Sequence, residues 1–399
     1  MTTKIQSLIV SLIFTVLSVG AIADEAEDAA EVEARKQKAF RAGVASIVND
    51  LNFEYFDGFL NAIDQPDMLD SIYGLRLIDQ RIKKQFEENL EGSWPGLIKG
   101  GIVPARGVPE EGLRFTLLGV ESRGDLGRAV VRADLDDFQF NYFEFDLRLD
   151  QRENVVIVDW INFLDGQEYS QDVGLYLVLA LPSKSALRKL LDFSNVSERE
   201  LFQFGELMKA ARDGNLAKYN ELRDGMQPRF QRQRIVVESA VRVARNVRRR
   251  REMVAALGIM AEHFPEEPLY SLMLLDHYFP QKKFEEGLAA LQRLKDELDV
   301  EDAAMDARMS AALLALGNPV EADAYADLAL GREPGLELGW LSALNARNAV
   351  GDFAGTVAAL AKLEGEFGYD LGPENLKKSR VFGDLMQSDE FAAWLESRP

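Results

Sequence analysis

The sequence predicts an α+β N-terminal domain, helices plus an antiparallel sheet, followed by an all-α solenoid of helical repeats. Three observations carry that prediction. Apolar residues recur at helical spacing from Phe40 to Phe59. The period switches to two between Leu113 and Phe163. Beyond Asn195 the chain becomes helical and self-similar. The 399 residues suit two or three domains, and a hydrophobic content of 47% excludes global disorder.

The N-terminus has the layout of an export signal. Lys4 supplies a positive start, Leu8 to Val19 is almost wholly apolar, and Ala21-Ile22-Ala23 offers small residues at a cleavage site before acidic Asp24-Glu25. Residues 1–23 are therefore expected to be a signal peptide and the mature protein to be exported, most simply to a periplasm, with no membrane span after cleavage. The alternative is an uncleaved anchor, since Ile5 to Ala23 is just long enough to cross a bilayer. Residues 24–38 read as a charged leader. There is no cysteine, which excludes disulfides, thiol nucleophiles and cysteine metal sites. Acids outnumber bases 66 to 46, a net charge of -20, which argues against a nucleic-acid partner.

Residues 39–182 are expected to form the α+β domain. Phe40, Val44, Ile47, Val48, Leu51, Tyr55 and Phe59 mark a first helical block, and Met68 to Leu90 a second. Glycines and prolines from Gly92 to Pro109 predict turns. Strands follow. Leu113, Phe115 and Leu117 alternate with Arg114 and Thr116, and Val131, Ala133 and Leu135 with Arg132 and Asp134. Phe143, Phe145, Leu147 and Leu149 alternate with Glu144, Asp146 and Arg148. Glu153 to Phe163 is apolar on both faces and reads as a central strand closed by Asp165-Gly166.

This element order, ending on Val158-Asp159-Trp160 and Gly166, resembles the nuclear transport factor two-like superfamily. The resemblance covers roughly residues 40–182. It implies a curved sheet wrapped around a pocket and capped by helices, in a superfamily that includes enzymes, ligand binders and structural adaptors.

Residues 183–372 are expected to be repeats of about 34 residues. Ala244-Arg245-Asn246 leads to Val254-Ala255-Ala256-Leu257, as Ala346-Arg347-Asn348 leads to Val357-Ala358-Ala359-Leu360, and Val254 and Val357 lie 103 residues apart. With Leu216, Arg250, Phe284, Val320 and Phe353 as equivalents, the steps are 34, 34, 36 and 33. Gly351-Asp352-Phe353, Gly214-Asn215-Leu216 and Gly317-Asn318 resemble the interhelical turns of the tetratricopeptide-repeat family over about residues 197–370, although the family's Trp and Tyr positions are not clearly kept. The resemblance implies a solenoid that presents a binding surface. Residues 373–399, with Phe382, Leu385, Phe391 and Trp394, read as capping helices.

Nine arginines fall between Arg229 and Met253. Arg242 and Arg245 lie on a helix face apart from the apolar stripe Val236, Ala240, Val243 and Val247. Arg248, Arg249 and Arg250 stand where the other copy has Gly351-Asp352-Phe353, and Arg251 follows. The island either pairs with acids elsewhere in the chain or docks an acidic protein, an anionic glycan or lipid headgroups. Catalytic chemistry has little to work with. The two histidines, His263 and His277, both fall in the repeats, and no metal set, cofactor or phosphate loop is expected. Tyr142, Asp159 and Trp160 are pocket candidates, with Asp159 open to a raised pKa if buried. The expectation is a non-enzymatic exported adaptor for a protein or peptide. The alternatives are a small-molecule or glycan binder using the α+β pocket, and a carboxylate-based hydrolase or isomerase.

Overall fold

The structure is a computed structural model describing residues 30–53, 56–74, 78–103, 112–135, 138–180, 191 and 196–397. The expected signal peptide, residues 1–23, and the first part of the charged leader lie outside them. Among the described residues no helix is long and apolar enough to cross a membrane.

Four helices come first: α1 (30–52), α2 (Phe56–Ala62), α3 (Gln65–Gly74) and α4 (Gln80–Ile102). Of the stripe read from the sequence, Phe40, Val44, Ile47, Val48 and Leu51 form the buried face of α1, Phe59 is buried on α2, and Tyr55 lies outside the described residues. The turns expected from Gly92 onward do not form at once, because α4 runs through Pro95 to Ile102. Leu90, Trp94, Ile98 and Ile102 recur every four residues and are all buried. That stripe outweighs the helix cost of the glycines and of one proline. Gly101 has a packing reason to be small, since a Cβ there would sit 2.3 Å from the Tyr169 ring.

Five antiparallel strands follow in the order β1-β2-β3-β4-β5: β1 (Arg114–Arg123), β2 (Leu126–Asp134), β3 (Phe140–Leu149), β4 (Val155–Asn162) and β5 (Gln167–Glu168). A register shift between Asp146 and Leu147, opposite Asp159 and Ile157, puts a bulge in β4. The bulge keeps both Ile157 and Trp160 in the same core. Helix α5 (Tyr169–Ala180) closes this part of the chain.

The expected order, an N-terminal α+β domain followed by an all-α solenoid, is corrected here. The sheet spans residues 114–168, in mid-chain, with helices before and after it. One sheet face packs on the preceding helices and part of the other on those that follow, while Leu126 and Asp146 on that second face stay exposed. Ala129, Val131, Ala133, Phe143, Phe145 and Trp160 pack on the preceding helices. Val130, Phe140, Tyr142 and Phe163 join one continuous apolar core with the helices that follow.

Among the described residues, those later helices form a solenoid of five helical hairpins. They are α6 (Glu198–Arg212) with α7 (Leu216–Asp224), then, after the short α8 (Pro228–Gln231), α9 (Arg234–Asn246) with α10 (Arg250–His263). Next come α11 (Ser271–Tyr278) with α12 (Phe284–Leu298), α13 (Ala303–Ala315) with α14 (Pro319–Arg332), and α15 (Glu337–Val350) with α16 (Phe353–Phe367). The second helices begin 34, 34, 35 and 34 residues apart. In every hairpin the residue two before the second helix is left-handed: Gly214, Arg248, Lys282, Gly317 and Gly351, with φ from 53° to 83°. Glycine takes that conformation without a Cβ clash, whereas arginine and lysine do not. After α17 (Pro373–Leu376), helix α18 (Asp389–Ser397) closes the array, with Phe391 and Trp394 packed in one cluster with Leu344, Leu360 and Leu363.

Candidate functional site

The arginine island divides into two parts. Arg242 and Arg245 project from α9 towards the sheet. The Arg242 guanidinium donates to the Asp172 carboxylate on α5. Arg245 donates to the Leu164 carbonyl and lies 3.3 Å from Asp165 in the β4–β5 turn. Arg234 pairs with Glu238 at 3.0 Å, and Arg229 with Glu200 at 2.8 Å. The four at the turn behave differently, as does the exposed Arg232 upstream. Arg248, Arg249, Arg250 and Arg251 are exposed, and none has an ion-pair partner among the described residues. Arg250 contributes only a field at Asp276, whose carboxyl is pushed up by burial and pulled down by Arg245, Arg308 and Arg250.

Their position works against local stability. Asn215 and Asp352 cap two of the equivalent second helices through their side chains, whereas Arg249, like Asn318, makes no capping hydrogen bond. The positive end of the α10 dipole disfavours cations in its first turn, and Arg248 holds the strained left-handed position.

The next turn repeats the pattern. Lys282 and Lys283 occupy the positions of Arg248 and Arg249, are exposed, and also leave their helix without a side-chain cap. The two turns are neighbours, because His277, one turn before Lys282, has its Nδ1 3.1 Å from the Val254 carbonyl, one turn after Arg250. These two lysines were missed in the sequence. The signal was there, since each lies 34 residues after its arginine counterpart.

The solenoid face built from the first helices is covered by the chain's own sheet and its turns at α9, α11 and α13. Besides the α9 contacts, a Cβ on Gly166 would touch Met273 and Tyr270. Arg308 of α13 donates to the Phe138 carbonyl at 2.7 Å. Arg132 of β2, fully buried, donates to Asp302 at 2.5 Å, Asp134 at 2.7 Å and Glu333 at 2.9 Å. Asp302 also accepts from the Tyr142 hydroxyl at 2.6 Å and from the Met305 amide at 3.1 Å. Burial alone would lower the Arg132 pKa, but the fields of these acids reverse that and raise it.

The three pocket candidates do not line one chamber. Trp160 is fully buried on the α1–α5 side, stacked on Tyr169 with ring centroids 4.2 Å apart and edge-on to Phe59 and Phe145. Tyr142 lies on the opposite face, in the solenoid core. Asp159 is turned by the bulge to accept from the Ser170 amide at 3.1 Å, so it satisfies a free N–H in the first turn of α5. Burial raises its pKa, opposed by its hydrogen bonds from Ser170 and Trp160.

No protein-family model matches the chain, and neither does any curated protein. Among solved structures, the crystal structure of MamA protein is similar over 43% of this chain and 95% of that chain. The identity is 14% and the TM-score 0.32, a likeness too slight to carry an argument. The solenoid assignment rests on the five hairpins and their period.

Proposed function

We propose that this protein is a non-enzymatic scaffold that binds a protein or peptide partner through the exposed edge of its helical repeats, in an exported setting. The observation that carries the reading is the contrast between the two surfaces of the solenoid. Over α9, α11 and α13 the first-helix face is covered by the β-sheet and its turns. The turn edge bears exposed cations that have no ion-pair partner among the described residues, at positions where they cost stability. Local strain retained on an exposed surface points to selection for binding. Export is supported by the apolar run Leu8 to Val19 followed by Ala21-Ile22-Ala23. A small-molecule reading gains no support from Trp160, whose ring is packed among Phe59, Phe145 and Tyr169.

Crosslinking and pull-down of the full chain from its native envelope tests this. The expected result is a polypeptide partner whose crosslinks map to residues 198–367. Recovery of no partner under gentle conditions, or crosslinks confined to the sheet, would sink the reading.

A further inference from the structure

We infer that the second and third interhelical turns together form one cationic docking ridge for an acidic polypeptide segment. The inference rests on the scaffold reading and gives its partner a chemistry. Arg248, Arg249, Arg250 and Arg251 on one turn and Lys282 and Lys283 on the next make six exposed cations with no ion-pair partner among the described residues. The His277–Val254 contact brings the two turns side by side. Both turns replace the Gly-Asp or Gly-Asn seen elsewhere in the array, and both put a basic residue where φ is positive. The departure is therefore confined to two adjacent units out of five.

The rest of the surface narrows the occupant. The net charge of -20 sets a repulsive long-range field against any extended anionic surface, such as a bilayer or a nucleic acid. None of the large exposed apolar side chains lies in 247–252 or 281–286, so the ridge has no anchor to insert among lipids. Glu252, Glu285 and Glu286 begin the helical turns just behind the cations and limit the basic area to a narrow strip. A strip of that kind suits a single strand carrying several carboxylates. Ten extended residues, about 33 Å long, are enough to run along both turns.

The test uses the full chain and a fluorescein-labelled peptide of ten residues rich in glutamate, with the glutamine analogue as control, read by anisotropy at several salt concentrations. Binding of the acidic peptide alone, weakening as salt rises, is expected. Neutralising either turn (Arg249→Gln with Arg250→Gln, or Lys282→Gly with Lys283→Gln) should weaken it about tenfold, the scale of a few exposed charge contacts. Arg249→Lys with Arg250→Lys should retain binding. Arg232→Gln, an exposed arginine off the ridge, should leave it unchanged. Melting curves confirm that each variant is folded.

No binding of the acidic peptide, dependence on one turn only, or equal loss with Arg232→Gln overturns the proposal. Tighter binding to phosphatidylserine vesicles or to a ten-nucleotide single strand than to the peptide overturns it as well. A native partner captured equally by the doubly neutralised variant would refute the ridge and leave the scaffold standing. A wild-type chain that binds the peptide but captures no partner would have the reverse meaning.

Discussion

Replacing Arg132 by methionine should destabilise the sheet and the solenoid together. Methionine keeps the apolar length of the side chain, so the loss is one of charge rather than volume. Three acids then lose their cation. Asp134 and Glu333 are partly exposed, and Glu333 keeps Arg114 at 3.1 Å, so both relax towards solvent. Asp302 is fully buried and cannot. It retains the Tyr142 hydroxyl and the Met305 amide, which places the cost at the lower end of the range for breaking a buried pair, about 3 kcal/mol. With an unfolding entropy of about 2.1 cal/mol/K per residue, that is a fall of about 4 °C in Tm. Asp302→Asn alone should cost less, because Arg132 keeps two acids, and the double variant should lose well under the sum. The assay is urea unfolding followed by tryptophan fluorescence. Trp94 and Trp160 report on the sheet side, and Trp340 and Trp394 on the repeats. A loss under about 1 kcal/mol, additive variants, or two separated transitions would refute a single core pinned by this network.

Other substitutions probe other parts of the molecule. Gly101→Ala forces a methyl against Tyr169 and should cost about 1 to 3 kcal/mol in urea unfolding. Gly351→Ala should destabilise by about 1 kcal/mol through the left-handed turn, while Arg248→Gly should be neutral or mildly stabilising. Asp146 keeps surface open to water, yet desolvation by the packed sheet around its carboxyl and the neighbouring Glu144, Asp159 and Glu168 push it up to about 6, against the pull of Arg128. The folded chain then binds more protons than the unfolded one between an ordinary aspartate pKa and 6. Its contribution to stability is present at acid pH and lost as pH rises through 6, and Asp146→Asn should flatten that slope in Tm against pH. His277 has the opposite sign. Burial lowers its pKa, opposed by the Val254 carbonyl, so stability falls as pH drops below the ordinary histidine value, and His277→Gln should remove that loss.

The parts of this fold that were legible from sequence are those written locally. The 34-residue period located the first residues of α7, α10, α12 and α16 and missed α14 by one, because apolar anchors and turn residues recur within each unit. The strands were legible through their alternation. What escaped depends on contacts distant in sequence. Nothing near Arg132 announces that Asp302 and Glu333 return to it, so its burial could not be read from the alternation. The end of α4 was lost because glycine and proline are strong local punctuation, and only the buried stripe Leu90, Trp94, Ile98 and Ile102 overrules it. The island was visible as composition. Its division into paired and unpaired arginines required knowing that the sheet lies against α9.

The burial of Val130, Phe140 and Tyr142 on the second face of the sheet bears on how the chain is made. The partners of Arg132 lie 170 and 201 residues further along. During synthesis, β2 and β3 are complete long before Asp302 and Glu333 emerge. For that interval the second face of the sheet, with Val130, Phe140 and Tyr142, has no cover of its own. Assembly is therefore ordered by the late arrival of the fourth hairpin, and a chain stopped after α5 is expected to behave as an adhesive intermediate rather than a free-standing domain.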